Sequence, residues 1–173
     1  MTVLIAQNTK DKIILGADTG SFYGLSGDKL HLDNHKGRLK IMQVNDVVYA
    51  GTGLVSEIIN FGLFCQTRKP ERNDQLGIQR FFIDFGKWLK DQNIETNGKI
   101  NNYYFLVFEK KLFHFQEGAV REILEDDFAT DGEGFREAYM AMYLGKSVEE
   151  AINLTIQMNV WASGKAQIVE IFK

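Results

Sequence analysis

The sequence predicts an α+β fold in which two stacked antiparallel sheets lie between two pairs of helices. Length, composition and the order of the elements carry this prediction. The chain has 173 residues, which fits a single domain spanning 1–173. Apolar residues make up 45% and charged residues 25%, so the chain has the side chains for a sizeable core. Hairpins alternate with pairs of helical segments, an order that suits stacked antiparallel sheets rather than a parallel doubly wound sheet.

Two predicted hairpins open the chain. Apolar residues at 3–6 and 13–17 flank a polar turn, which predicts the first hairpin with Asp18 at the exit of its second strand. Residues 19–37 contain four glycines and scattered polar residues, so this stretch is predicted to be a loop. Apolar segments at 38–44 and 47–51 then predict the second hairpin.

A pair of helices is predicted next. Residues 54–66 are apolar nearly all round, which predicts a buried helix that ends before Pro70. The following helix has apolar residues at three- and four-residue spacing, so they share one face and must dock on an apolar surface. These residues are Ile78, Phe81, Phe82, Phe85, Trp88 and Leu89.

The second half of the chain repeats this order and closes with one strand. The predicted strands lie at 103–109, 112–116, 120–124 and 166–172, with room for one more before the helices. The predicted helices lie at 134–144 and 148–158. Ser147 with Glu150 three residues later has the spacing of a capping box, which marks the start of the second of these helices.

Charge and cysteine content narrow the classes of function. Twenty Lys and Arg residues are mixed with 23 Asp and Glu residues, so there is no basic stripe for a nucleic acid partner. The apolar stretches are too short for a membrane-spanning helix, and the first ten residues lack the pattern of a signal peptide. Cys65 is the single cysteine and has no Cys or His neighbour at metal spacing. We therefore expect a cytoplasmic protein with no membrane partner and no metal.

Thr2 is the most informative residue for chemistry. A threonine hydroxyl needs an adjacent base, and a free α-amine with a pKa of about 7.7–8.0 can serve as that base at neutral pH. Methionine is removed when the next side chain is small, so loss of Met1 would make Thr2 the N-terminal residue. Many proteins begin Met-Thr, however, and the position alone does not identify a nucleophile.

An ordered set of segments follows Thr2 at characteristic places. The segments are Gly16-Ala17-Asp18, Lys40-Ile41-Met42-Gln43-Val44, Tyr49-Ala50-Gly51, Gly132-Glu133-Gly134 and Asn159-Val160-Trp161-Ala162-Ser163-Gly164-Lys165. Together with Thr2 this set resembles the proteasome β-type subunits and their bacterial relatives, including the HslV protease. The resemblance spans nearly the whole chain, and each segment alone is unspecific.

The resemblance implies an N-terminal-nucleophile (Ntn) hydrolase with a four-layer αββα sandwich. It implies a threonine peptidase that hydrolyses the peptide bonds of unfolded polypeptides inside a homo-oligomeric ring. No cofactor is implied, and a separate ATPase unfoldase is the implied partner.

The resemblance also implies a role for each matching residue. Thr2 would attack the scissile carbonyl while its own α-amine accepts the proton. Lys40 would stabilise the developing alkoxide, and Asp18 would hold Lys40 in place. The backbone N–H of Gly51 would donate to the oxyanion. Lys36 and Arg38 lie near the same place, but Lys40 is favoured because it alternates with Met42 and Val44.

Three positions depart from the family pattern and keep other functions open. Glu133, Asn159 and Ala162 stand where active members of the family carry Ser, Asp and Ser. A carboxylate at position 133 would bind the α-ammonium and raise its pKa, which weakens it as a base. One alternative is a catalytically inactive ring scaffold or binding subunit of the same fold. A more distant one is a small-molecule amidohydrolase that uses the same threonine.

Three other signals are weaker. Asp18-Thr19-Gly20-Ser21 is similar to an aspartic protease motif, but such an enzyme needs two aspartates and would require a homodimer. His31 and His35 have helical spacing without a third ligand, so they are interpreted as loop residues. Cys65 lies in an apolar run and is interpreted as a small buried hydrophobic residue.

Overall fold

The computed structural model describes residues 2–20, 22–24, 30–32, 39–92, 94 and 98–173. The strands are β1 (Val3–Asn8), β2 (Lys12–Asp18), β3 (Phe22–Gly24), β4 (Leu30–Leu32), β5 (Ile41–Val44), β6 (Val47–Thr52), β7 (Tyr103–Phe108), β8 (Lys111–Gln116), β9 (Ala119–Ile123), β10 (Asp127–Gly132) and β11 (Ala166–Phe172). The helices are α1 (Val55–Thr67), α2 (Gln75–Asp91), α3 (Phe135–Tyr143) and α4 (Val148–Met158). His35, Lys36, Arg38 and the side chain of His31 lie outside the described residues.

Two antiparallel sheets form the centre of the molecule. The four-stranded sheet has the order β10-β1-β2-β11, so β1 is flanked by β10 and β2. The five-stranded sheet follows chain order from β5 to β9. Strands β3 and β4 pair separately as a short hairpin. Because β5 and β11 are edge strands, each has one side free of ladder partners within its own sheet.

Three apolar clusters define four layers. The first lies between the sheets, where residues such as Leu4 and Leu15 of the four-stranded sheet meet Ala50 and Phe105 of the five-stranded one. The second packs α1 and α2 on the outer face of the five-stranded sheet. The third packs α3 and α4 on the outer face of the four-stranded sheet. Alternate residues of each inner strand face opposite clusters, since side chains alternate along a strand. The predicted αββα arrangement is confirmed.

Aromatic rings fill the outer cluster under α1 and α2. Phe61 of α1 stacks on Phe82 of α2 with ring centroids 5.3 Å apart and meets Tyr49 edge-on at 4.9 Å. Phe82 also stacks on Phe115 of β8 at 4.1 Å. The predicted stripe on α2 therefore docks on the sheet, and Asp74 caps this helix by accepting from the Gly77 N–H.

Most predicted elements are confirmed, and two predictions are wrong. The hairpins, the final strand and the capping box of Ser147 and Glu150 are present. Helix α1 is not buried on all sides, because Val55, Ile59 and Leu63 are 45–47% exposed. The stretch 19–37 contains β3 and β4 and is not entirely a loop. In the described part of the chain, each helix falls short of the length and apolarity that would cross a membrane.

Phe61→Ala tests the contribution of the aromatic cluster to stability. The ring is fully buried against six other aromatic side chains, and its removal leaves a cavity that rigid neighbours cannot fill. We expect the free energy of unfolding to fall by about 3–5 kcal/mol in urea titrations at a fixed protein concentration. Leu76→Ala is the control, because that side chain is 67% exposed on α2 and its loss should cost well under 1 kcal/mol. Equal losses in the two variants would contradict the assignment of Phe61 to the core.

Candidate active site

Thr2 lies directly before β1, in the middle of the four-stranded sheet. Its carbonyl accepts the N–H of Gly134 at 3.4 Å, and the residue is almost fully buried. Gly132 has a φ of +87°, and a Cβ at this position would overlap the carbonyl of Thr2. Only glycine permits both this conformation and this close approach. The segment from Gly132 to Gly134 is therefore packed directly against Thr2.

Asp18 ends β2 with a completely buried carboxylate. Its Oδ1 accepts the N–H of Val3 at 2.9 Å and the ammonium of Lys40 at 2.7 Å. Its Oδ2 accepts the N–H of Ser163 at 3.2 Å. Three separate parts of the chain are thus held by one side chain, and one of them is the residue that follows Thr2.

Lys40 reaches from the five-stranded sheet to the four-stranded one. Its side chain is only 10% exposed, and burial lowers the pKa of Lys40 while the carboxylate of Asp18 opposes that shift. The prediction that Lys40 shares a strand face with Met42 and Val44 is wrong. Met42 and Val44 pack toward α1 and α2, whereas Lys40 precedes the first ladder pair of β5 and contacts the opposite sheet.

A cleft of about 440 Å³ opens beside Thr2. Thr52 and Gly53 from the end of β6 form one wall, and the segment from Thr130 to Glu133 forms another. Asp131 and Glu133 are the charged residues among its described lining, so the cleft is acidic. Such a wall favours a positively charged group, including a free α-ammonium.

Gly51 precedes the cleft wall by one residue. It pairs with Tyr104 in the β6–β7 ladder, and a Cβ at this position would lie 2.9 Å from the Tyr104 ring and 3.0 Å from Ile58. Close packing is thus one reason for a glycine here. Its role as oxyanion donor stays a prediction.

Asn102 holds the turn after Gly51 in place. Its side-chain oxygen accepts the N–H of Leu54 at 2.7 Å, and its side-chain nitrogen donates to the carbonyl of Leu54 at 2.8 Å. The buried carboxylate of Glu57 accepts the N–H of Asn102 at 3.0 Å. This network fixes the wall of the cleft formed by Gly53.

A buried histidine and aspartate were not found by sequence reasoning. The Nε2 of His114 in β8 lies 2.8 Å from the Oδ2 of Asp131 in β10, and both side chains are almost fully buried. Thr52 donates to the Oδ1 of Asp131 at 3.5 Å. The pair therefore joins the two sheets beneath the cleft. The signal was a single histidine within the apolar run Leu112-Phe113-His114-Phe115.

The three positions that depart from the family pattern have different surroundings, and Glu133 is the one that lines the cleft with Thr2. Asn159 donates from its side chain to the carbonyl of Glu133 at 3.3 Å. Ala162 is buried in the cluster under α3 and α4. Ser163 contributes its backbone, since its N–H binds Asp18 and its carbonyl accepts the Gly20 N–H at 2.8 Å. The backbone of Ser163, in the turn before β11, thus holds this turn to Asp18 and Gly20.

The competing signals receive no support from the site. Asp18 is paired with an ammonium, and an aspartic protease needs two carboxylates that share a proton. Cys65 is buried as predicted, and burial raises the pKa of its thiol to about 12, which keeps it protonated and unreactive. Among the described residues, His, Cys, Asp and Glu side chains form no group of three that could hold a metal ion.

Comparison with known proteins identifies the fold. No protein-family model and no curated protein matches the chain. The structure of BPH from Thiobacillus denitrificans in complex with epoxomicin matches with a TM-score of 0.80 and 18% identity, covering 99% of this chain and 98% of that one. Eukaryotic HslV from Trypanosoma brucei matches with a TM-score of 0.68 and 15% identity, covering 99% of each chain. Anbu from Pseudomonas aeruginosa matches with a TM-score of 0.70 and 10% identity, covering 98% of this chain and 81% of that one. The chain therefore has the fold that BPH, HslV and Anbu share.

Asp18→Asn tests the electrostatic link to Lys40. The variant keeps the shape of Asp18 but removes the charge that opposes the effect of burial, so the pKa of Lys40 should fall further. NMR titration of the Cε signals of labelled lysines measures this shift. Glu170→Gln is the matched control, because Glu170 pairs with Lys12 at 2.6 Å on an exposed surface and its loss should leave the titration of Lys40 unchanged. An unchanged titration of Lys40 in Asp18→Asn would contradict the link.

Asp131→Ala tests the buried pair. It leaves the ring of His114 without its partner in a buried place, so we expect a loss of about 1–3 kcal/mol in the free energy of unfolding. Replacing both residues, with His114→Leu as the second change, should recover part of that loss. Asp127→Ala on the same strand is the control because Asp127 is exposed. Equal effects at positions 131 and 127 in urea unfolding would argue against the pair.

Proposed function

We propose that this chain is the subunit of a self-compartmentalised threonine peptidase that hydrolyses peptide bonds of unfolded proteins. The observation that supports this proposal most directly is the buried ion pair of Lys40 and Asp18. Asp18 also accepts the N–H of Val3, the first residue of β1. A buried ammonium and carboxylate bound at the start of the strand that follows Thr2 are the groups that activation of an N-terminal threonine needs. Removal of Met1 is part of the proposal.

The proposed reaction proceeds through an ester on Thr2. The Oγ of Thr2 attacks the carbonyl carbon of the peptide bond, and its proton passes to the α-amine of Thr2 through a water molecule. The ammonium of Lys40 stabilises the negative charge that develops on Oγ, and the N–H of Gly51 donates to the oxyanion. The C–N bond then breaks as the α-ammonium returns the proton to the leaving amine. A water molecule, deprotonated by the same amine, hydrolyses the ester and regenerates Thr2.

The acidic wall of the cleft would tune this base. Glu133 lines the same cleft as Thr2, and a carboxylate near the α-amine would stabilise the ammonium form and raise its pKa. The amine would therefore lose its proton at a higher pH than it would in a site with serine at position 133.

Self-association is supported by an apolar stripe on α3. Five large apolar side chains on this helix and at its end are 44–72% exposed, and clustered apolar side chains of this kind mark interaction surfaces. They are Phe135, Tyr139, Met140, Tyr143 and Leu144. We propose that this stripe contacts another copy in a homo-oligomeric ring in the cytoplasm, with a separate ATPase unfoldase as partner.

A second candidate function is a catalytically inactive scaffold or binding subunit with the same fold. It is favoured by Glu133, Asn159 and Ala162, which replace supporting side chains of the family pattern. A small-molecule amidohydrolase would use the same Thr2 and Lys40 and is distinguished by its substrates alone.

Processing and labelling separate these candidates. Intact mass of protein assembled in its native host should show loss of Met1, and a peptide epoxyketone should add to Thr2. Thr2→Ala should lower peptide hydrolysis by about 10³-fold or more, because the nucleophile is lost, whereas Thr67→Ala at the exposed end of α1 should leave it unchanged. Retained Met1, or assembled protein with neither adduct nor cleavage, would favour the inactive scaffold. Hydrolysis of small amides without peptides would favour the amidohydrolase.

Glu133→Ser tests the electrostatic effect of the cleft wall. Loss of the carboxylate should lower the pKa of the α-amine, so the rising limb of the pH dependence of kcat/KM should move to lower pH. The measurement is the hydrolysis of a fluorogenic peptide from pH 5 to pH 10 (buffers chosen at constant ionic strength, about 0.1 M, so that screening is equal). Glu137→Ser on α3 is the control, since Glu137 is outside the cleft lining. A limb that stays in place would contradict the role of Glu133.

A further inference from the structure

Gln167 makes a three-bond contact between the sheets close to Lys40. Its Oε1 accepts the N–H of Lys40 at 2.8 Å and the N–H of Ile41 at 3.1 Å. Its Nε2 donates to the carbonyl of Ile41 at 3.0 Å. Gln167 belongs to β11, the edge of the four-stranded sheet, and Ile41 begins β5, the edge of the five-stranded one. One side chain thus acts as a ladder partner for the start of β5.

Gln167 lies close to Asp18 in the four-stranded sheet. In the ladder of β2 and β11, Gln167 pairs with Ala17 and its neighbour Ala166 pairs with Asp18. The backbone of Lys40 is therefore held by β11, and its ammonium by Asp18 on the adjacent strand β2. The backbone and the ammonium of Lys40 are therefore both bound by the four-stranded sheet, whose strand β1 follows Thr2.

Lys40 directly precedes the ladder between β5 and β6. That pairing begins at Ile41 and Ala50, and the N–H of Lys40 donates to Gln167. A long lysine side chain has several rotatable bonds, so an ion pair at its tip does not by itself fix the backbone. The amide of Gln167 binds that backbone directly.

We propose that Gln167 is a positioning residue for Lys40, a proposal that rests on the function proposed above. It acts by fixing the backbone from which the ammonium reaches Asp18. Only an amide of this length accepts both N–H groups and also donates to the carbonyl. Displacing a catalytic group by about 1 Å can lower the rate by about 10²-fold without weakening substrate binding.

A purely structural role predicts different behaviour. If Gln167 only joined the sheets, its loss would lower stability, and activity would fall in proportion to the unfolded fraction. A positioning role predicts a lower kcat in fully folded protein, an unchanged KM and an altered titration of Lys40.

Gln167→Met and Gln167→Glu test the proposal. Methionine keeps the length of Gln167 and removes all three hydrogen bonds, while glutamate keeps the acceptor and loses the donor. Gln43→Met is the matched control, because Gln43 lies on β5 with an exposed side chain that donates only to the nearby carbonyl of Asn45. All variants are measured as full-length assembled protein at a temperature at which each is folded by circular dichroism.

We expect Gln167→Met to lower kcat for a fluorogenic peptide by about 10- to 100-fold, with KM within about threefold. Hydrogen exchange at the N–H groups of Lys40 and Ile41 should become faster, and the titration of Lys40 should move relative to Gln43→Met. Gln167→Glu should retain the protection of both N–H groups and recover part of kcat.

The exchange and titration measurements do not depend on catalysis, so they separate failure of this proposal from failure of the proposed function. A wild-type protein that cleaves no peptide overturns the peptidase assignment. Gln167→Met with exchange and Lys40 titration equal to Gln43→Met overturns the positioning role. A loss of kcat no larger than the loss of folded protein does so as well.

Discussion

The carboxylate of Asp18 is fully buried, yet it binds three groups from distant parts of the chain. A buried ion costs several kcal/mol unless its partners compensate for lost water. Two backbone N–H groups and one ammonium provide that compensation here. The donors come from β1, from the residue before β5 and from the turn before β11, so one carboxylate ties these three segments together. This carboxylate thereby links the start of β1, which follows Thr2, to Lys40.

The space between the sheets is apolar in the middle and polar near the site. Aliphatic residues and Phe105 fill the centre, and they define a separation but no particular register. Hydrogen bonds are directional, so the contacts of Gln167 and of His114 with Asp131 set the relative position of the strands near the cleft. Both contacts join the sheet that carries Thr2 to the sheet that carries Lys40 and Gly51. A site divided between two sheets needs such links, because neither sheet alone holds all its parts.

The fold is common to proteins that BPH, HslV and Anbu represent, whereas the electrostatics of the cleft belong to this chain. Asp131 and Glu133 place carboxylates in the wall of the cleft that Thr2 also lines. Lys40 and Asp18 form their ion pair outside this lining. Peptidase and scaffold would therefore share one framework and differ in the state of one amine, which explains why the fold alone does not distinguish them.

Local patterns in the sequence determined the elements and their order. The stripe from Ile78 to Leu89, the capping box at Ser147 and the final strand each have a residue pattern that is complete within a short segment, so each was predictable. Thr2, Asp18 and Lys40 were found because their order along the chain resembles a known family. The exposure of α1 was not predictable, since an apolar helix gives no periodicity from which to choose its buried face.

Only the tertiary structure decided which polar side chains meet. Gln167 lies 126 residues from Ile41 along the chain, and His114 lies 17 residues from Asp131 on a different sheet. No local spacing encodes such pairs, because their contact depends on the stacking of two sheets and on the register of their edges. The same stacking, and not strand alternation, directs Lys40 to Asp18. The sequence thus determined which groups are available for chemistry, and the packing of the sheets determined their geometry.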